Sequence, residues 1–427
     1  MFKTKNMKNV NWPIFLMILF FHACTAPKQL AKDSVGNPNF LATLMKTQPE
    51  KFGKFLENPS KYELQIIYTQ IDRDAQNVPH FRTFGFRADS MEYFYPASTV
   101  KMALSFLAIE KVNQLHRTNP SFVRSTSYAM DSMRVMQQAW RTDTSAKNGL
   151  PSLEQDIKQV FLVSDNFAYN HLFDFLGRDY INTTFEQKGY AHTRIMHRFS
   201  IPGIDNKTTS PFKFFEQKKL IYAQPESVST RSYSNPQHNL FKGIGHWDND
   251  EKLIKKPFDF SGKNYFTLDN QQLMLRAVLF PETVNPRHRF DFTDDDYQFV
   301  RRYMSMYPRE SRYPNFNADT YDGYCKFFMF GDGKARRPDH IRIFNKVGDA
   351  YGYMIDNAYI VDFERNVEFM LSAVILSNED GVFNDGKYEY ETVGTPFLAN
   401  LGTLIYDYEC KRTRKNKPNL EKFKLEY

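Results

Sequence analysis

The sequence predicts a mixed α/β (α+β) fold in which an antiparallel sheet is completed by both chain ends and a helical lobe is inserted between them. Three observations point there. Strand-like runs lie near the start, Leu64–Ile71 and Phe81–Phe86, and near the end, Ile341–Lys346, Ala358–Phe363 and Glu368–Leu376. The stretch between carries apolar residues at helical spacing. At 427 residues the chain exceeds a usual single domain but suits one large two-lobed unit.

The N-terminus reads as an export signal. Lys3, Lys5 and Lys8 precede an apolar run from Pro13 to Phe21, and a small residue, Ala23, stands before Cys24. Nine apolar residues are too few for a span, which needs about 20 in a helix. Residues 25–38 are polar and read as a tether. Phe40, Leu41, Leu44 and Met45, then Phe52, Phe55 and Leu56, predict one broken helix or two short ones. Leu64–Ile71 and Phe81–Phe86 form a hairpin across the turn residues Asp72–Pro79. Pro96 introduces a helix that runs to about Leu115, and Leu153–Val163 predicts a second. Ala168, Leu172, Phe173 and Leu176 mark a third, ending at Gly177. From about 190 to 340 the chain is irregular and rich in Pro, Asn, Asp and aromatics, with helices at Asn270–Leu279 and about Asp295–Met306. The last two strands meet at a tight turn, Arg365-Asn366, and a final helix covers about Thr392–Tyr408.

Composition narrows the function. Hydrophobic residues at 41% and charged residues at 25% fit a globular protein. The 40 Phe and 25 Tyr are read as an aromatic core with tyrosines at its rim rather than a carbohydrate platform. A net charge of +7 is modest, and its one dense run, Lys411, Arg412, Arg414, Lys415 and Lys417, is read as a solvated tail over 411–427. No zinc-finger spacing, RNA-binding signature or basic recognition helix is present, so no nucleic-acid partner is expected. Cys325 and Cys410 are read either as a pair or as two buried thiols. His192 and His197 suit neither a helix face nor strand alternation; they are read as exposed loop residues, and no metal site or cofactor is expected.

Chemistry concentrates at Ser98 and Lys101. In a helix, positions i and i+3 share a face, so the amine lies beside the hydroxyl. Serine is a weak nucleophile until a base takes its proton, and a desolvated lysine beside other cations is neutral enough to serve. The helix start also offers the Ser98 N–H to a developing oxyanion. The spacing alone is weak evidence, because Ser210 and Lys213 repeat it without a preceding hairpin or a following helix. Two further motifs strengthen it. Ser164-Asp165-Asn166 supplies a second hydroxyl and an amide, and Lys346-Val347-Gly348 places an ammonium and a glycine on a strand before a turn.

This ordered set, with the Phe94–Lys101 stretch and the C-terminal strand–strand–helix, resembles the serine β-lactamase and penicillin-binding transpeptidase superfamily, closest to class A. The resemblance covers roughly 60–205 and 265–410. It implies Ser98 as acylated nucleophile, Lys101 as its base and Ser164 as proton relay. Asn166 would bind a substrate amide and Lys346 would act as electrostatic clamp. Gly348 would lie where substrate approaches, and the N–H groups of Ser98 and Asp349 would form the oxyanion hole. The Phe21-His22-Ala23-Cys24 ending resembles a bacterial lipobox, which implies diacylated Cys24 as the mature N-terminus. The expected organisation is a lipoprotein signal peptide over 1–23, a tether over 24–38 and a catalytic domain over 39–410. Within that domain the sheet lobe takes about 58–97 and 340–410, and the helical lobe takes about 98–339.

Two departures bear on function. Class A enzymes carry Glu-x-x-Leu-Asn soon after the second motif, and its Glu activates the deacylating water. Between Gln187 and Phe215 the only carboxylate is Asp205. A general base contributes about 10²–10⁴ in rate, so turnover is in question, with Asp205 or Glu216 as candidate substitutes. Val347 also replaces the hydroxyl that receives a β-lactam carboxylate, a loss on the order of 1 kcal/mol. The expectation is therefore a secreted, lipid-anchored, monomeric serine hydrolase of the β-lactamase-like type. It would be acylated at Ser98 by a β-lactam or related amide or ester, in the cell envelope, on the outer membrane facing the periplasm. The alternatives are a penicillin-binding-like enzyme on peptidoglycan-derived substrate, or a non-catalytic envelope binding protein.

Overall fold

A computed structural model describes Met1 and residues 33–131, 139–201, 205–317, 319–331 and 333–427. The chain divides into two units, Met1–Leu30 and Ala31–Tyr427. Only Met1 of the first unit is described, so the stretch read as an export signal and Cys24 lie outside the described residues. Every described strand and helix belongs to the second unit.

The centre of that unit is a six-stranded sheet built from both ends of the chain, as the sequence predicts. The strands are β1 (Ser34–Val35), β2 (Gln65–Arg73), β3 (Pro79–Phe86), β4 (Ile341–Ala350), β5 (Tyr353–Asp362) and β6 (Val367–Leu376), in the order β1-β3-β2-β6-β5-β4. Every pairing is antiparallel except β1 with β3. Strands β5 and β6 are buried throughout because helices cover both faces, which explains their nearly unbroken apolar runs.

Helices α1 (Phe40–Met45), α2 (Pro49–Glu57) and α9 (Thr395–Lys411) cover one face. Leu41, Phe52, Phe55, Phe397 and Leu401 pack there against Ile66, Phe369 and Leu371. The other face carries the helical lobe: α3 (Val100–Thr118), α4 (Leu153–Val163), α5 (Asn166–Leu176), α6 (Arg178–Lys188), α7 (Leu268–Leu279) and α8 (Asp294–Ser305). Val100 through Glu110 are all buried, the pattern of a helix enclosed by its neighbours. A small sheet of Ser127–Met130, Phe212–Glu216 and Lys219–Gln224 edges this lobe.

Several expectations need correction. The tether reading fails for its described end: Ser34–Val35 pair with Arg82–Thr83, and Asp33 bridges Arg276 at 2.6 Å. The basic C-terminal run is solvated only in its lysines, Lys411, Lys415 and Lys417, and its arginines are docked. Arg412 and Arg414 bind Glu409, Arg412 also binds Asp72, and Leu420 and Phe423 are buried in the core. The two arginine charges are held by carboxylates on the sheet and on α9, while two apolar residues dock the segment. Cys325 and Cys410 are unpaired, the first buried and the second exposed. Among the described residues no helix is long and apolar enough to cross a membrane.

Candidate active site

The sequence motifs converge at a cleft between the sheet and the helical lobe. Its volume is about 1220 Å³, and Ser98, Ser164, Asn166, Val347 and Asp349 are among its lining residues.

Ser98 sits half-buried in a short 3-10 turn, Ala97–Thr99, at the head of α3. Ala97 before it has φ +46°, an unfavourable value for a residue with a Cβ, held in place by the surrounding core. One turn on, Lys101 is fully buried. Its ammonium donates to the Asn166 Oδ1 at 2.6 Å, to the Ser164 Oγ at 3.3 Å and to the Ser164 carbonyl. Burial lowers its pKa well below that of a free lysine, and the charge of Lys346 lowers it further.

The second motif is a helix junction. Ser164 closes α4 in a left-handed conformation, φ 57° and ψ 40°. Asp165 caps α5 by accepting from the Ala168 N–H, worth about 1 kcal/mol. The junction thereby turns the Ser164 hydroxyl and the Asn166 amide toward Lys101. Lys346, also buried, donates to Ser164 Oγ at 2.8 Å and to its neighbour Val347's carbonyl at 2.9 Å, so one hydroxyl stands between two lysines. Burial lowers the Lys346 pKa as well.

The third motif owes its geometry to strand alternation. Strands β4 and β5 meet at Tyr351-Gly352, both at positive φ as a two-residue type I′ turn requires. Ala350 and Tyr353 are then the closing hydrogen-bonded pair, and the next pair, Asp349–Met354, is not hydrogen-bonded. Because β4 is the sheet edge, the Asp349 N–H points out of the ladder, toward the Ser98 turn. Gly348 makes this approach possible: a Cβ there would lie 2.7 Å from the Ser98 nitrogen and 3.0 Å from both the Pro96 oxygen and the Thr99 nitrogen. The Ser98 N–H, one of the orphan donors of the helix start, and the Asp349 N–H thus border the same space.

Among the described residues, the loop after the second motif brings no carboxylate into the cleft; the carboxylates that line it, Asp248 and Asp349, come from other segments. Asn170 clamps the Phe199 backbone, donating to its carbonyl and accepting from its N–H, both at 2.9 Å. Tyr169 donates to the His197 carbonyl at 2.9 Å and Asn166 to the Ser200 hydroxyl at 2.8 Å. Residues 166, 169 and 170 share one face of α5, so the loop is fastened along it. It presents the Phe199 ring 5.3 Å from the Lys101 ammonium. Asp205 is exposed and accepts from the N–H groups of Lys207 and Thr208; Glu216 lies at the exposed end of a strand in the small sheet. Neither lines the cleft among its described residues.

Sequence reasoning missed His197, Phe199 and Ser200. His197 is not an exposed loop residue: it is half-buried, lines the cleft and stacks on Tyr95 at 6.2 Å. Burial brings its pKa down to about 4. Also missed were Tyr324, Cys325 and Tyr390, and the segment around His246–Phe258 that walls the mouth. Their only signal was aromatic density in an irregular region. Ser210 is buried on the far side of α5, its N–H on Asp174 at 2.7 Å, and its i+3 partner Lys213 is exposed on a strand.

Residues 54–237 match the family model described as the β-lactamase enzyme family. No curated protein matches the chain by sequence. Among solved structures, the β-lactamase of Streptomyces albus G aligns at 14% identity and a TM-score of 0.46, over 87% of this chain and 98% of that one. The class A β-lactamase of Mycobacterium abscessus aligns at 16% identity and a TM-score of 0.42, over the same shares. The β-lactamase of Sphaerobacter thermophilus aligns at 11% and 0.46, over 89% and 100%. Ser98-x-x-Lys101, Ser164-Asp165-Asn166 and Lys346-Val347-Gly348 thus gather at one cleft, in a chain whose residues 54–237 are similar to the β-lactamase enzyme family.

Proposed function

We propose that the protein is a serine acyl enzyme of the cell envelope, acylated at Ser98 by a β-lactam or a related amide or ester, and slow to release the acyl group. The observation that carries this is the buried Lys101, held against Ser164 and Asn166 one helical turn from Ser98. Neutral Lys101 takes the Ser98 proton as Oγ bonds the acyl carbon. The N–H groups of Ser98 and Asp349 receive the oxyanion, and Ser164 passes a proton to the leaving group while Lys346 holds its hydroxyl. Acylation needs nothing more. Deacylation needs a base aimed at water, and the loop that would carry it presents Phe199 and Ser200 instead.

Stopped-flow reaction with a chromogenic aryl ester and a chromogenic cephalosporin tests this. The expected trace is a burst of about one equivalent followed by a steady phase about 10²–10⁴-fold slower, the usual contribution of a general base. Fast turnover without a burst, abolished in Asp205→Asn or Glu216→Gln, would contradict slow release and identify the base.

The envelope location rests on the Ala23-Cys24 junction after a short apolar run. Cys24→Ala is expected to move the protein from the membrane fraction or leave its signal uncleaved. Unchanged fractionation with normal cleavage counts against the anchor.

A further inference from the structure

The side chains of β4 alternate between two sides. Lys346 and Gly348 face the helical lobe, one reaching Ser164 and the other resting on the Ser98 turn. Val347 and Asp349 line the cleft. The Val347 side chain packs into the core, so the exposed group that β4 offers beside the Ser98 turn is the Asp349 carboxylate. Asp349 is open to the cleft, where the crowding walls raise its carboxyl while Lys346 and Lys101 oppose that. Tyr324, 45% exposed, and Tyr390 line the same cleft. Burial is the main cause of their raised phenol pKa values, and the charge of Asp349 adds to both.

A carboxylate in a cleft also lined by aromatic rings is a composition that binds an ammonium, through an ion pair and the ring faces together. The described lysine and arginine side chains around the cleft, Lys263 and Arg198 among its lining, have partners of their own. Arg198 is bound to Asp174. Lys263 lies 3.4 Å from the Tyr351 hydroxyl and over the Phe258 and Tyr351 rings, at 5.6 and 5.5 Å. Lys101 and Lys346 are directed at Ser164.

We propose that the acyl donor of this site carries an ammonium group held by Asp349, and that donors with a carboxylate in that place are disfavoured. This rests on the reading of Ser98 as the acylated nucleophile. With an ester donor, the Ser98 Oγ–acyl carbon bond forms and the ester C–O bond breaks. The alcohol leaves with the proton taken from Ser98, delivered through Ser164.

The test uses the full chain and three aryl esters of matched shape, whose acyl chains end in trimethylammonium, tert-butyl or carboxylate. A fluorophosphonate without any charged recognition group is run first, on wild type and variants alike, to report a folded and reactive Ser98. The trimethylammonium ester is expected to acylate wild type about tenfold faster than the tert-butyl ester, with the carboxylate ester slowest, the effect of one charge contact in a half-solvated cleft. Asp349→Asn is expected to shrink the cation-to-anion ratio by about tenfold, and Asp349→Lys to invert it. If the fluorophosphonate labels Ser98 but the ratio is unchanged in Asp349→Asn, wild type prefers the carboxylate ester, or no ester reacts, this proposal falls and the nucleophile reading stands. No fluorophosphonate labelling of Ser98 overturns both.

Discussion

Lys101→Ala is expected to slow acylation of Ser98 by a neutral fluorophosphonate or an activated ester by about 10²–10⁴-fold, the range for removing a general base. Among the described residues, the side chains in contact with the buried ammonium are a hydroxyl, an amide oxygen and an aromatic ring, and the Asp165 and Asp349 carboxylates act on it only through their charge. The pH profile separates this role from a structural one. Burial and then Lys346 depress the Lys101 pKa, so the reactive neutral form is populated well below the pH at which a free lysine loses its proton. Acylation should therefore persist near neutrality and fall as pH drops through the lowered value. Lys101→Arg, which cannot deprotonate, should lose it at every pH while circular dichroism shows an intact fold. Labelling that survives either substitution means another group activates the serine.

Gly348→Ala is expected to lower acylation by about 10²–10³-fold, the cost of losing an oxyanion donor. The new Cβ would meet backbone atoms of the nucleophile turn at 2.7 and 3.0 Å, and backbone cannot rotate aside as a flexible side chain can. The edge strand must draw back, carrying the Asp349 N–H with it. Thermal unfolding measured alongside should show a folded protein, because the clash falls between the edge strand and the nucleophile turn. Near wild-type acylation in a folded variant would contradict the shared oxyanion space.

The architecture was legible where periodicity was clean. Leu153–Val163 forms the helix its spacing predicts, and Phe81–Phe86 returns as the hairpin partner of β2. Strand β5 was seen only from Ala358 because Asp356 and Asn357 interrupt its apolar run. Both are buried and satisfied: Asp356 accepts from the Phe327 and Phe328 N–H groups and from Asn345, while Asn357 bonds the Gln271 carbonyl and Ser372. Those partners are distant in sequence, so no local pattern announces them.

The site was legible as three motifs, because each is short and fixed to the start, junction or edge of an element. Its walls were not. Phe199 and Ser200 gain their positions from Asn170 and Asn166 on α5, and Tyr324 and Tyr390 come from an irregular loop and a short turn before α9. The C-terminal basic run misled for a related reason: Asp72, 340 positions from Arg412, becomes its neighbour only once the sheet has formed, although Glu409 is close in sequence.

The central claim is that Ser98 is the nucleophile and keeps its acyl group. Intact mass spectrometry over time, after a brief exposure to an activated ester or a fluorescent penicillin, followed by peptide mapping, tests it most directly. One adduct per chain is expected, on the peptide containing Ser98, decaying far more slowly than it forms and absent in Ser98→Ala. An adduct on Ser210 or any other residue, or one on Ser98 that vanishes as fast as it appears, would contradict it.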